Sequence, residues 1–495
     1  MKYVSTRGHM PPAQFCDILL DGLAPDGGLV VPEAVPTVGS DERERWRGLA
    51  YPELAARVIA LYATDIPGPD LEALTRAAYS PRVFRSPVVV PLTQLDERTT
   101  LVGLSEGPTL AFKDLAMQFL GQVIPYVLER AGRTLNILAA TSGDTGSSAE
   151  HAFRGKPGID VFMLSPRGRM SPVQRAQMYA LDDPNIHNLA VDGVFDDCQD
   201  LVKAITADTA FKEAHALGAV NSINFGRICA QIAYYFWAWL RATDDLPPAA
   251  RRSQPVSFAV PSGNFGNVYA GHLARRMGLP VRRLIVATNE NDVLDEFFRT
   301  GVYAPRPRER TLVTTSPSMD ISKASNLERL IWEVLGAHEF AARWQRLAEE
   351  GRLDLGDHLS RLKDEFGFVS GSSTHDDRIR TIRTLYERTG VVIDPHTADG
   401  LAVGWRQAEA GVTTLVMETA KPEKFGDTVS EALGADAPPV PPHIRELLAR
   451  PQRVREVPDD VATVRAYLAE HALPAARADS PDGAPAPRGQ DSGPA

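Results

Sequence analysis

From about residue 87 onward the chain repeats one pattern: a short β-rich run, a loop of small residues, then a helical stretch. The strand-like runs are Leu135–Ala140, Ile159–Leu164, Ile186–Val191, Val256–Val260, Arg283–Ala287 and Thr414–Met417. Strands joined by helical crossovers lie parallel, and a parallel sheet needs helices on both faces. The pattern therefore predicts an α/β fold with mostly parallel sheets. Residues 1–92 read differently, as a separate N-terminal unit. Helical patterns lie at Phe15–Leu23, Tyr51–Thr64 and Asp70–Tyr79, with a strand at Leu29–Val31 after a Pro-Asp-Gly-Gly turn.

Charge and cysteine usage remove several function classes. With 53 Lys+Arg against 63 Asp+Glu the net charge is −10, which disfavours a general nucleic-acid binder. Small anions are not excluded, because they answer to local charge and backbone amides. Cys16, Cys198 and Cys229 lie far apart without a C-x-x-C pair, so neither a disulfide scaffold nor a zinc ribbon is expected. A reducing compartment, the cytoplasm, fits. Met1 to Gly8 has no apolar core and reads as no secretory signal. The longest apolar stretch, Cys229–Leu240, is too short for a span of about 20 residues and reads as a buried helix. No H-E-x-x-H is present, and no metal is expected.

Three segments can carry chemistry. Ser262-Gly263-Asn264-Phe265-Gly266-Asn267 follows a strand and precedes a helical run. Its glycines let backbone N–H groups converge at a helix start, a seat for phosphate. A plain strand-to-helix turn explains the loop equally well when it is taken alone. Thr141-Ser142-Gly143-Asp144-Thr145-Gly146-Ser147 has the same design, and Asp144 as a helix N-cap is the simpler explanation of it in isolation. In Gly107-Pro108-Thr109-Leu110-Ala111-Phe112-Lys113, the lysine falls in the first turn of a helical pattern, where the helix dipole disfavours a cation. That placement favours a nucleophilic amine, although an arbitrary lysine is more often a snorkelling surface residue. Together, two anion-cradling loops and an awkwardly placed lysine suit a phosphorylated aldehyde. Pyridoxal 5'-phosphate is such a cofactor, and Thr419, at the end of a strand, offers a hydroxyl for its ring nitrogen.

The chain resembles the threonine synthases, in the β-family (fold type II) of pyridoxal-phosphate enzymes. The resemblance runs in order over roughly residues 1–450, through MKYVSTRG, GPTLAFKD, ATSGDTGSSAEHAF, NSINFGRICAQIAYY, PSGNFGNVYAG, MDISKASNLERL, DPHTADG and METAKPEKF. It implies a two-lobed core behind the N-terminal domain. Residues 93–134 and 225–472 form the large lobe, 135–224 the small lobe, and 473–495 a disordered tail. It implies that Lys113 carries the cofactor as a Schiff base, with Phe112 packed near the ring. It implies that Ser262, Gly263, Asn264, Phe265, Gly266 and Asn267 hold the phosphate, Thr419 meets the ring nitrogen, and Asp144 lies near the phenolic oxygen. Ser142, Gly143 and Thr145 receive the substrate. Arg227, Lys323, Ser325, Asn326 and Arg329 are candidates for its phosphate or carboxylate.

The activity so implied converts O-phospho-L-homoserine and water to L-threonine and phosphate, the last step of threonine biosynthesis. The substrate is a small molecule; neither nucleic acid nor membrane is an expected partner, and the oligomer is a monomer or dimer. Two departures stand out. Ser105-Glu106 replaces a common Phe-His, and Lys421 replaces a common histidine after Thr419-Ala420. His396 matches the family, and N-capping by Asp394 explains most of its segment. A phospho-lyase or a Ser/Thr deaminase on the same fold is the rival chemistry; a non-catalytic relative has no need of an imine-forming lysine.

Overall fold

Two of the runs read as strands, Val256–Val260 and Thr414–Met417, fall within strands Val256–Pro261 and Thr413–Glu418, which lie side by side and parallel in the middle of a six-stranded sheet. The structure is a computed structural model that describes residues 1–475. In chain order the strands are β1 (Tyr3–Ser5), β2 (Val30–Pro32), β3 (Leu92–Gln94), β4 (Thr99–Gly103), β5 (Leu135–Ala140), β6 (Ile159–Pro166), β7 (Ile186–Val191), β8 (Leu217–Gly218), β9 (Val256–Pro261), β10 (Val281–Thr288), β11 (Val302–Tyr303), β12 (Leu353–Asp354), β13 (Phe368–Ser372), β14 (Thr413–Glu418) and β15 (Arg455–Val457). The larger sheet has the order β13-β10-β9-β14-β4-β3, parallel except where β3 pairs antiparallel with β4. The smaller sheet, β15-β7-β6-β5-β8, is parallel throughout. The α/β class with mostly parallel sheets is thus observed. Each strand of β6 is buried along its whole length, as expected where helices cover both faces.

β1 and β2 pair antiparallel at the N-terminus, with helices Phe15–Asp21, Ser40–Trp46, Tyr51–Ala60 and Gly68–Ala78 around them. The apolar run around Cys229–Leu240 lies inside a longer helix, Phe225–Ala242, buried from Phe225 to Leu240. Buried on every side, it has no solvent face to offer, and so it becomes a central strut. Its Trp237 ring meets Tyr51 edge-on at 5.5 Å and its Phe236 meets Trp46 at 5.6 Å, joining the N-terminal unit to the core. Burial of each such ring contributes roughly 1.5–3 kcal/mol.

The end of the chain departs from the expected lobe division. β15 adds to the edge of the smaller sheet beside β7, and Val464 and Leu468 of helix Val461–His471 are fully buried against that sheet's core. Residues from 455 therefore return to the small lobe, because the apolar face of that last helix finds its partner there, and the large lobe does not extend to 472. Leu473 is also docked: its N–H donates to Asn136 Oδ1 (3.0 Å) and its carbonyl accepts from Asn136 Nδ2 (2.9 Å). The tail expected over 473–495 lies otherwise outside the described residues from 476 onward.

This topology fixes where a site can form. β9 and β14 are parallel neighbours, so the loops leaving their C-terminal ends open at the same edge. Ligands in open α/β sheets bind outside such carboxyl ends. The loop after β5, in the smaller sheet, and the start of helix Lys113–Ala131 close the same space.

Candidate active site

A cavity lies at this edge, lined by Phe112, Lys113, Asp144, Thr145, Arg227, the whole of Ser262–Asn267 and Thr419. Lys113 is the first residue of its 19-residue helix, and its side chain is mostly buried. Burial depresses its ammonium below the usual lysine range; Asp144 works against this, while Lys424 and Arg227 add to it. The amine lies 5.2 Å from the centre of the Phe112 ring and 3.3 Å from Asp144 Oδ2. Burial, rather than the helix dipole invoked from sequence, is the larger cause of the depression.

Asp144 opens helix Asp144–Phe153 but does not cap it. The Thr141 hydroxyl accepts from the N–H groups of Gly143 (3.0 Å) and Gly146 (2.8 Å), the work expected of Asp144. The carboxylate is thereby free to turn into the site. Its Oδ1 accepts from Lys424 Nζ (2.6 Å) and Gln174 Nε2 (3.0 Å), and its Oδ2 from Lys113 and from Ser318 Oγ (2.8 Å). Burial alone would raise it, but Lys424 first and Lys113 second hold it well below the usual carboxylate range.

The loop after β9 is shaped as an anion seat. A Cβ on Gly263 would sit 2.9 Å from Ile321 Cδ1 and 3.3 Å from the Met319 backbone. Phe265 adopts φ 64°, a left-handed conformation rare outside glycine, and its ring packs at 5.8 Å against both Phe298 and Phe368. That packing holds a strained backbone whose next residue, Gly266, starts helix Gly266–Arg276. Asn267 Oδ1 accepts from the hydroxyls of Tyr234 (2.7 Å) and Tyr235 (2.9 Å), while its buried Nδ2 has no partner. Opposite the loop, Thr419 Oγ1 is also buried without a partner.

These orphans bear on the cofactor. An unpaired hydroxyl at a strand end, an unpaired amide beside a glycine loop, and a depressed lysine amine fit a ring nitrogen, a phosphate and an aldehyde. The residues present therefore fit pyridoxal 5'-phosphate. Lys113 would anchor it, the Ser262–Asn267 loop would seat its phosphate, and Thr419 would meet its ring.

Arg227, on helix Phe225–Ala242, is 3% exposed and has one long hydrogen bond, to Val220 O at 3.5 Å. No carboxylate pairs with it among the described residues, and burial lowers its guanidinium to about 10. It faces the cavity as an uncompensated cation.

Other expected residues are placed elsewhere. Gly143 and Ser142 do not line the cavity; a Cβ on Gly143 would meet Gln174 at 2.6 Å, and Ser142 is exposed. Lys323 is exposed and Ser325 half-buried, both outside the cavity lining. Asn326 braces the phosphate loop instead, its N–H (3.1 Å) and Nδ2 (3.0 Å) donating to Asn264 O. Arg329 is wholly buried and spends its guanidinium on Val30 O (3.0 Å), Ile223 O (2.6 Å) and Asn326 Oδ1. Each of its three nitrogens already has a protein partner, one of them in the N-terminal domain's β2, and the residue lies outside the cavity lining.

Sequence reasoning missed Ser222, Gln231, Ser318 and Met319, which line the cavity, and Lys424, which touches Asp144. His396 also lines it: its Nδ1 donates to Asp394 Oδ1 (2.7 Å), so Nε2 accepts from Ser318 N–H (3.1 Å) and fixes the loop that carries Ser318. Asp394 caps that helix as read, accepting from His396 N–H and Thr397 N–H. The two departures from the family pattern meet: Lys421 Nζ pairs with Glu106 (2.6 Å) and with Glu418 (3.1 Å), which also accepts from Ser105 Oγ (2.6 Å). Each altered residue is thus satisfied by another.

Comparison with known proteins agrees with this geometry. The family model described as threonine synthase N terminus matches residues 2–79, that of pyridoxal-phosphate dependent enzymes 104–351, and that of the threonine synthase C-terminal region 397–468. The threonine synthase of Corynebacterium glutamicum is 51% identical over 483 residues, covering 95% of this chain and 98% of its own. That of Methylobacillus glycogenes is 50% identical over 482 residues, covering 95% and 100%. Among solved structures, pyridoxal-phosphate-bound threonine synthase from Brucella melitensis superposes with a TM-score of 0.89 at 40% identity, covering 95% of this chain and 99% of that one. Yeast threonine synthase gives 0.88 at 35% identity, covering 95% and 98%. Identity at this level extends from the N-terminal unit through both lobes, and on that ground the chain belongs to the threonine synthase family of pyridoxal-phosphate-dependent enzymes.

Proposed function

We propose that this threonine synthase acts on O-phospho-L-homoserine, adding water and releasing phosphate to give L-threonine. The observation that carries the choice of a phosphorylated substrate is Arg227, a buried cation without a counter-charge, in the cavity that holds Lys113. A phosphorylated substrate brings a second anionic group, beyond its carboxylate, that such a guanidinium can neutralise.

Pyridoxal 5'-phosphate, when bound, supplies an aldehyde for a lysine amine and a conjugated ring that takes up electrons released at the substrate's Cα and Cβ. The chain's own residues do the rest. Lys113 Nζ, once exchanged for the substrate amine, removes the Cα proton and later returns a proton. Its depressed proton affinity suits a base at neutral pH. Thr145, which alone of the expected Ser142, Gly143 and Thr145 lines the cavity, would meet the amino acid, Asp144 would lie by the cofactor's phenolic oxygen, and Thr419 Oγ1 would meet its ring nitrogen. Arg227 binds the departing phosphate.

Among the described residues no helix is long and apolar enough to cross a membrane, and we place the reaction in the cytoplasm. Product identification after incubation with O-phospho-L-homoserine and pyridoxal 5'-phosphate tests the assignment. Threonine with equimolar phosphate is expected, and Lys113→Ala yields neither. Release of 2-oxobutanoate in place of threonine makes the chain a deaminating lyase instead.

A further inference from the structure

We propose that Lys424 is a positioning residue of the catalytic centre: by sharing the Asp144 carboxylate with Lys113, it leaves the Lys113 amine free to react. The inference rests on Lys113 being the cofactor's anchor.

Lys424 stands on the short turn Pro422–Phe425, five residues beyond Thr419, and its side chain is completely shielded from solvent. A lysine is almost never fully buried unless paired. Its ammonium makes two bonds, to Asp144 Oδ1 at 2.6 Å and to Thr109 O at 2.9 Å. It does not line the cavity, so it acts through Asp144 rather than on a ligand. Lys113 holds the other carboxylate oxygen, and more loosely, at 3.3 Å. Asp144 therefore belongs first to Lys424.

The consequence concerns the proton on Lys113. A buried lysine alone with a buried carboxylate keeps its proton, since the pair stabilises both charges. Attack on an aldehyde needs the lone pair that this proton occupies. In that attack the Lys113 nitrogen bonds to the aldehyde carbon, a carbon–nitrogen double bond replaces the carbonyl, and the oxygen leaves as water with both amine hydrogens. A second ammonium on the same carboxylate weakens the hold of Asp144 on the first. Three charged groups face Lys113: Asp144 from the start of helix Asp144–Phe153, Lys424 from the turn after β14, and Arg227 from helix Phe225–Ala242. Only Asp144 favours the protonated amine. Lys424 in turn faces Asp144, Lys113, the buried Asp114 behind Thr109, and His151.

The test follows capture of pyridoxal 5'-phosphate by cofactor-free protein, read as the change in visible absorbance across a pH series. In Lys424→Gln, which keeps a donor for Asp144 and Thr109 but no charge, the pH of half-maximal capture rate rises by about one unit. Capture at a fixed pH below the midpoint then slows roughly tenfold. Lys424→Arg keeps the charge and the wild-type midpoint. Lys424→Met is the second neutral variant and shifts as the glutamine does; melting curves identify a variant that has not folded. Lys113→Ala captures nothing. A midpoint unmoved in the folded neutral variants overturns the role of Lys424, as does a shift of equal size in Lys424→Arg. Normal capture by Lys113→Ala overturns the underlying assignment of the anchor instead.

Discussion

Replacing Arg227 by leucine should damage binding while strengthening the fold. The guanidinium is buried, touches one carbonyl at 3.5 Å and pairs with no carboxylate. Burial lowers it from 12.5 to about 10. At about 1.4 kcal/mol per unit, the folded protein spends on the order of 3 kcal/mol to keep this charge. Because the folded value is the depressed one, the penalty is fully present at every pH below about 10 and fades above it. Leucine removes the charge and retains an apolar stem, so lost packing offsets only part of the gain. We expect cofactor-free Arg227→Leu to melt roughly 1–3 °C higher than the parent. A charge-assisted bond to phosphate is worth about 1.5–3 kcal/mol, so KM for O-phospho-L-homoserine should rise roughly 10- to 100-fold. Inhibition by inorganic phosphate should weaken in parallel. Differential scanning fluorimetry and steady-state kinetics measure the two effects on the same preparations. A variant that melts several degrees lower, with KM unchanged, would falsify the reasoning and make Arg227 a structural residue.

Three further outcomes follow from the same contacts. Thr419→Val removes an unpartnered buried hydroxyl at almost constant volume, so the cofactor-free protein should melt no lower, while turnover falls about tenfold or more; lower stability with normal turnover would contradict the role at the ring. Arg329→Met strips three buried oxygens of their donor and should cost about 3–5 kcal/mol in urea denaturation, with faster loss of cofactor because Asn326 no longer holds the loop at Asn264. Glu150 is fully buried with no cation against it, and burial, opposed by the Asn188 side chain, raises its carboxyl well above the usual value. A raised folded-state carboxyl adds stability below the unfolded value of about 4.5 and loses it as pH climbs, so Glu150→Gln should gain more in melting temperature at pH 8 than at pH 5.

The parallel core was legible because strand runs such as Leu135–Ala140 and Val256–Val260 are apolar but for one residue each, Asn136 and Ser257, and lead into glycine-containing loops. β4 was not, since Thr99-Thr100-Leu101-Val102-Gly103 is short and half polar, and its pairing with β14 and β3 makes it a strand. β15 was hidden for a similar reason: its buried residue is Val457 alone, and its partner lies more than 260 positions earlier. In the site, loops with a local signature were readable. KASNLER entered as a source of phosphate or carboxylate ligands through the family resemblance alone. Which of its side chains reaches a cavity, and which is claimed by Val30 and Ile223, depends on elements far away in the chain. Lys424 had no signature at all, since a lysine in a polar turn is ordinarily at the surface.

The position of Asp144 gives the charge pattern its logic. A chain of net charge −10 places Lys113 and Arg227 in one cavity and Lys424 behind it, with Asp144 between the two lysines. Two of the three cations hold that carboxylate from opposite oxygens, and the third has no partner. Had Asp144 paired with Arg227 instead, the phosphate site would be cancelled and Lys113 would lose its closest ionic contact. The separation therefore requires that Asp144 be fixed, and Gln174 and Ser318 do this by donating to one oxygen each. Ser318 is held in turn by His396, whose tautomer Asp394 sets. Loss of either donor should let the carboxylate swing, and the arrangement of charges, more than any single residue, is what the small lobe's first helix has been shaped to protect.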